Sequence, residues 1–210
     1  MEGTRARRQE EPIRLFRSDF LEFFTHVHPI TVLVVWVPVF LYFLLRGILD
    51  RPAGVSPAVV PAGLALGIFL WTLTEYLLHR FVFHFHPRVP WQERAAFLFH
   101  GVHHAQPMVK TRLVMPPAVS IPLAVLFYLV FRAFFYGVGM SAWFAPAFAG
   151  FAAGYISYDM IHYATHHFPV RGYFRFLKLH HMRHHFKTPN QRFGVSSPLW
   201  DWVFRTLPAD

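Results

Sequence analysis

The chain has 210 residues, 54% of them apolar, 19% aromatic and 15% charged, with 25 Phe and no Cys. So many Phe exceed what one water-soluble core of this length buries, and a charged fraction well below the roughly 25% of soluble proteins argues against a soluble enzyme. The missing Cys excludes disulfides, thiolate metal sites and Cys nucleophiles together, while a formal charge of +9 suits a membrane surface or nucleic acid.

Residues 1–28 read as a basic cytoplasmic tail carrying Arg5, Arg7, Arg8, Arg14 and Arg17. Within it Phe16, Phe20, Phe23, Phe24 and Val27 recur at helical spacing, which predicts an interfacial amphipathic helix or an extension of the first span. No cleavable signal peptide is expected, because the first apolar run begins only at residue 29. A helix crossing hydrocarbon needs about 20 mostly apolar residues. Uncharged windows predict four such spans, near 29–46, 56–78, 118–136 and 142–162, the last two separated by Gly137-Val138-Gly139-Met140-Ser141. Between and after them come two His-rich segments, 79–112 and 163–207. The fold class expected is all-α: an integral four-helix transmembrane bundle with a cytoplasmic, helical, His-rich cap. In that topology 17 of the 20 Lys and Arg fall on one side and only Arg46, Arg51 and Arg132 on the other. The asymmetry places both termini and the cap in the cytoplasm, and explains the basic charge without nucleic acid. The membrane would be endoplasmic reticulum in a eukaryote and the inner membrane in a bacterium.

Ten of the 15 His fall into four spaced groups: His79 and His84; His100, His103 and His104; His162 and His166; His181, His184 and His185. On an α-helix, residues three and four apart share a face, so His-x-x-His-His offers three imidazoles, the last two splayed enough to serve different ions. All four groups sit at the cytoplasmic level of the four-span topology. Ten imidazoles exceed the ligand number of one ion, and two ions sharing them is the economical arrangement. A nitrogen-rich set suits Fe, Zn, Cu or Ni. His26, His28 and His86 read as polar anchors, and His167 and His180 as structural neighbours of the groups. Two alternatives use the same residues: haem ligation between helices, for a non-catalytic membrane protein, and metal transport, which would place ligands near the midplane. Four groups at one level exceed what haem needs, and the spans are nearly bare of ionisable residues.

At these residues the chain resembles the fatty acid hydroxylase superfamily, from about residue 11 to 207. Within it, PIRLF and DFLE ahead of the first span, WTLTEYLLHRFVFH (71–84), HGVHH (100–104), KTRLVMPP (110–117), GYISYDMIHYATHH (154–167), LHHMRHH (179–185) and FGVSSPLWDWVFRT (193–206) are similar to the fatty acid 2-hydroxylases of sphingolipid acyl chains. The His groups alone are shared with sterol desaturases, sterol methyl oxidases and carotenoid hydroxylases, so a sterol or carotenoid hydroxylase or desaturase is the alternative. The resemblance implies that residues 29–207 form the hydroxylase domain and that the ten His hold a dinuclear centre, two iron ions, with zinc able to replace them in recombinant preparations. It implies O2 as co-substrate and insertion of one oxygen at C2 of a long acyl chain, with a membrane lipid as substrate. Tyr155, Tyr158 and Asp159 match the family's YxxYD stretch. Asp159, three residues before His162, is expected to accept that ring's second N–H or else to pair with a cytoplasmic Arg. Many eukaryotic relatives carry a cytochrome b5-like domain, for which residues 1–28 are too short, so a separate electron-transfer protein is expected. Replacing any of the ten His with Ala should impair metal retention or turnover, and replacing His26 or His28 should not. Metal content beside turnover checks this, and full activity without His103 or His184 would refute the ligand assignment.

Overall fold

The computed structural model describes residues 11–208, and all of its regular structure is helical. Arg5, Arg7 and Arg8 of the expected basic tail lie outside the described residues. The first helix, α1 (Asp19–Phe23), has five residues. An amphipathic helix running on through Phe16 and Val27 does not form. The Leu15 and Phe16 N–H groups donate to the Glu22 carboxylate at 2.9 and 2.8 Å, which wraps the preceding chain back around α1. Phe20 and Phe23 stand exposed, whereas Val27 is buried and donates its N–H to the Thr111 carbonyl at 2.7 Å.

Helix α2 (Pro29–Leu49) begins where the His28 ring accepts the Ile30 N–H and Pro29 takes the first helical position, where a missing N–H costs nothing. Helix α3 (Val59–Leu77) continues without a break into a π-helical turn, Leu78–Phe83. A short helix α4 (Pro90–Ala96), a second π-helical turn (Phe97–Gly101) and α5 (Val102–Ala105) form one continuous rod. Helices α6 (Pro117–Gly137) and α7 (Ser141–His167) are separated by a tight turn in which Gly139 adopts φ 73°, a region costly for residues with a Cβ. Helices α8 (Gly172–Phe186) and α9 (Leu199–Val203) complete the cap.

Three helical stretches, Pro29–Leu49, Val59–Phe83 and Pro117–Gly137, are long and apolar enough to cross a membrane, as in a multi-pass membrane protein. The fourth expected span is helical over 27 residues, but α7 is less apolar than the other three. The reason lies in its position. Helix α7 is the central element, packed on α2, α3 and α6, and 15 of its residues are buried. A helix enclosed by other helices needs no apolar outer face.

Close contact between α3 and α7 depends on small residues. A Cβ on Gly67 would stand 2.0 Å from the Ala147 carbonyl oxygen, and one on Gly150 would stand 2.1 Å from that of Leu64. The two backbones therefore touch directly, through Gly63-x-x-x-Gly67 on one helix and Gly150-x-x-x-Gly154 on the other, the small-residue arrangement that lets membrane helices approach. Around this seam Trp71 and Trp36 pack edge-on against Tyr155, with centroids 5.2 Å apart in both pairs. Gly150→Ala should destabilise the protein by an amount at or above the usual range for overpacking, about 1–3 kcal/mol. Gly137→Ala, where nothing lies within 4 Å of the added carbon, should be neutral. Unfolding temperatures in detergent check both, and equal values for the two variants would mean that the backbones separate readily.

Candidate metal centre

The local helix geometry decides which histidines meet. His79 and His84 are five residues apart, which on a regular α-helix turns them about 140° away from each other. The π-helical turn corrects this. The His84 N–H donates to the His79 carbonyl at 3.1 Å, a bond spanning five residues, and both rings face inward. The second π-helical turn, closed by the Val102 N–H on the Phe97 carbonyl, carries His100 just ahead of His103 and His104. Spacing arguments built on three and four residues do not reach the first of these pairs; the extra residue in His-x4-His was the available signal.

All ten predicted histidines converge, in two groups of five. One comprises His79, His84, His100, His104 and His184; the other comprises His103, His162, His166, His181 and His185. Within each group one nitrogen per ring lies within 4.8 Å of the others. Adjacent residues on one helix project about 100° apart, so His103 and His104 fall in different groups, as do His184 and His185. The rings face one another through Nε2. In the first group the separations are 3.1 Å for His79–His100, 3.1 Å for His84–His184 and 3.2 Å for His104–His184. In the second they are 3.0 Å for His103–His162, 2.9 Å for His103–His185, 2.9 Å for His166–His181 and 3.0 Å for His181–His185. Two nitrogens each about 2.05 Å from a shared ion are roughly 2.9–3.3 Å apart for angles between square and tetrahedral. The donor set therefore fits an ion at the middle of each group.

The rings are neutral, which is the ligating form. Burial, aided by neighbouring imidazoles, pushes His84 and His104 down to about 3, and burial also takes His184 down to about 4. His100, His103 and His181 are held well below their usual value by the same cause.

What orients the rings differs between the groups. In the first, His79 Nδ1 bonds the Phe193 carbonyl at 2.5 Å and His184 Nδ1 bonds the Gln191 carbonyl at 2.7 Å, which fixes Nε2 as the ligating atom. Two buried carboxylates hold the loop supplying one of those carbonyls. Asp201 accepts the N–H groups of Phe193 and Gly194, both at 2.7 Å, and the Thr206 hydroxyl at 2.7 Å, and it meets His180 at 3.1 Å. Glu75 accepts from Val195 and Ser196 N–H at 2.6 and 2.8 Å and from the Ser196 hydroxyl. Spacing alone did not single out Glu75 or Asp201; both lie inside stretches that carried the family resemblance. In the second group all five Nδ1 atoms are buried without a partner among the described residues.

Among the described residues Asp159 neither serves His162 nor meets an Arg. Its carboxylate accepts the Met115 N–H at 3.3 and 3.4 Å, while His162 Nδ1 has no partner. Asp159 and Tyr158 line a cavity of about 410 Å³ with His100, His103 and His162, and the rest of its wall is mostly apolar, including Leu15, Phe24, Met115 and Val119. Tyr155 stands apart from this cavity, among the tryptophans of the bundle. His26 meets Thr111 at 2.8 Å and Arg112 at 3.0 Å, and His28 caps α2. His180 takes the structural place expected for it, against Asp201, and His167 packs at a tilt against Tyr163, with centroids 4.6 Å apart.

Residues 64–206 match the sequence model of the family described as Fatty acid hydroxylase. The chain is 41% identical over 203 residues to a dihydroceramide fatty acyl 2-hydroxylase, FAH1, of Arabidopsis thaliana, covering 95% of this chain and 82% of that protein. It is 39% identical over 193 residues to the ceramide very long chain fatty acid hydroxylase SCS7 of Saccharomyces cerevisiae, covering 90% of this chain and 48% of that one. A solved structure described as full-length scs7p, with only the hydroxylase domain visible, superposes with a TM-score of 0.82 at 36% identity, over 91% of this chain and 70% of that chain.

The depressed imidazoles carry a pH consequence for protein stripped of metal. Below about 6.5 an unfolded chain takes up protons on His84, His104 and His184 that the folded chain refuses until about 3 to 4. Their contribution is thus fully present above about 6.5 and drains away as pH falls toward the folded values. The unfolding temperature of chelator-treated protein should drop steadily from neutral pH toward pH 5. A flat profile would mean that the rings are solvated.

Proposed function

The chain belongs to the fatty acid hydroxylase family, and we propose that it is a membrane monooxygenase inserting one O2-derived oxygen at C2 of a long acyl chain, that of a ceramide or of its fatty acid precursor. The observation that carries this reading is the 410 Å³ cavity, whose wall joins His100 of one group to His103 and His162 of the other and is otherwise mostly apolar. A chain threaded there lies beside both ion positions, out of water. Insertion of oxygen from O2 into a C–H bond is an oxidation that no amino-acid side chain carries out, so the chemistry belongs to a metal. The ten histidines would hold two iron ions, which when bound supply reductive activation of O2 and abstraction of the C–H hydrogen; an all-nitrogen set also accepts zinc. Electrons would come from a separate electron-transfer protein.

The protein's own groups position the substrate. Leu15, Leu21, Phe24 and Phe99 pack against the apolar tail and exclude water. Asp159, whose carboxylate accepts the Met115 N–H and interacts with the Tyr155 hydroxyl, keeps lone pairs for the amide or hydroxyl of a lipid head group, and Tyr158 lies beside it. C2 adjoins the carbonyl, so a head group held at Asp159 presents that carbon first. The cavity meets the start of α6 at Pro116, where a membrane helix begins, and a site at that depth receives the head of a lipid rather than its end. In the reading supported by the 17-to-3 asymmetry of basic residues, α7 is a fourth crossing shielded by α2, α3 and α6, and the histidine cap is cytoplasmic.

Lipid mass spectrometry of a 2-hydroxylase-deficient host expressing the chain tests the proposal. One added oxygen at C2 of amide-linked acyl chains is expected, reduced at least about tenfold by His103→Ala or His184→Ala and unchanged by His86→Ala. Oxygen at another carbon, or on a sterol, would overturn it.

A further inference from the structure

At the end of α7 remote from His162 and His166, a cavity of about 310 Å³ lies between the C-terminal turns of α2, the second half of α6 and the first turn of α7. Its wall contains Arg46, Arg51 and Arg132 with a single carboxylate, Asp50. These are the three cations that the basic-residue asymmetry leaves on the far side of the membrane, and the fold brings all three to one space. Their engagement by protein groups is incomplete. Arg46 pairs with Asp50 and donates to the Tyr42 hydroxyl at 3.1 Å, and Arg51 donates to the Val55 carbonyl. Arg132 has no hydrogen-bond or ion-pair partner among the described residues; its guanidinium lies 5.0 Å from the centre of the Tyr136 ring.

A cation five residues inside a membrane helix is costly unless it reaches water or an anion. Snorkelling to water would satisfy Arg132 alone. It gives no reason for two further Arg and the rings of Tyr42, Tyr128 and Tyr136 to surround the same volume. The first turn of α7, Ser141 and Ala142, also faces this space, and no side chain caps that 27-residue helix. Its N-terminal N–H groups add to the positive potential. Leu45 of α2 and Leu129 of α6, next in sequence to the lining residues Arg46 and Tyr128, are exposed apolar surface. A ligand with a negative head and hydrocarbon tails matches all of these features.

We propose that this cavity binds the phosphate of a phospholipid, with Arg51 and Arg132 on its oxygens and its acyl chains along α2 and α6. The assignment to the leaflet away from the histidines rests on the four-span reading above; the binding itself does not.

Native mass spectrometry of the full chain in detergent, incubated with phosphatidylglycerol, tests the proposal. One retained phospholipid per chain is expected, undisplaced by millimolar inorganic phosphate. Arg51→Gln with Arg132→Gln should lower retention about tenfold or more, with unfolding temperature and metal content unchanged. Arg132→Lys should largely restore retention beside intact Arg51, and Arg94→Gln, on the opposite end, should have no effect. Equal retention in the double variant would overturn the site, leaving Arg132 to snorkelling. Displacement by inorganic phosphate would overturn the lipid and leave a small-anion site. Because the chain has no Cys, Ser56→Cys and Lys187→Cys each introduce a unique thiol. Labelling of both from one side of sealed vesicles by an impermeant maleimide would reject the four-span reading while leaving the lipid count intact.

Discussion

Neutral imidazoles packed with their Nε2 atoms about 3 Å apart have, in the tautomer that carries its proton on Nδ1, lone pairs pointed at one another. In that ligating tautomer, which the Nδ1 bonds to carbonyls impose on His79 and His184, the arrangement is repulsive until a cation stands between the rings. Everything around them reads as a scaffold that bears this cost. The direct backbone contact of α3 with α7 fixes the two elements that carry His79 and His162 with little freedom to separate. At the other side, Asp201 and Glu75 clamp the loop from Phe193 to Ser196 and, through Phe193, the orientation of His79. Buried carboxylates that accept several N–H bonds each are satisfied without a neighbouring cation, and here they lie just outside the histidine shell.

Much of this was legible in the residues. The helical class follows from long apolar windows, and eight of the ten histidines stand out because spacings of three and four residues place them on common faces, His79 and His84 being the exception. The direction of α7 could also be read, since His162 and His166 mark one end of it. What could not be read has physical causes. A π-helical turn leaves only one surplus residue between His79 and His84 as a trace in the sequence. The clamps formed by Glu75 and Asp201 depend on partners 120 and 8 residues away, and such long-range pairing has no local pattern. The tail misled for a related reason: the spacing of Phe16, Phe20, Phe23 and Phe24 is helical, but Glu22 draws Leu15 and Phe16 back along α1 and leaves them no helix to continue.

The molecule divides its polar work between two ends of one bundle. At one end lie histidines and a mostly apolar cavity; at the other lie three arginines with tyrosines around them. Helix α7 connects the two and is shielded along most of its length, so its Gly and Tyr content reflects contact with protein rather than with lipid. Hydropathy measured on such a helix reports its neighbours as much as its surroundings. The same shielding accounts for Tyr155 sitting among Trp36 and Trp71, outside the wall of the 410 Å³ cavity, while its hydroxyl reaches Asp159, which does line it.

The interleaving of the two histidine groups has a further consequence. The rod of α4 and α5 gives His100 and His104 to one group and His103 to the other, and α8 divides His184 from His181 and His185 in the same way. Neither ion position can be assembled without ordering the two segments that also build its neighbour. The entropy lost in fixing those segments is paid with the first ion and is not lost again with the second. Metal uptake should therefore be cooperative, with little half-loaded protein at intermediate supply, and a centre that needs two ions to work would pass between empty and competent forms with few idle intermediates.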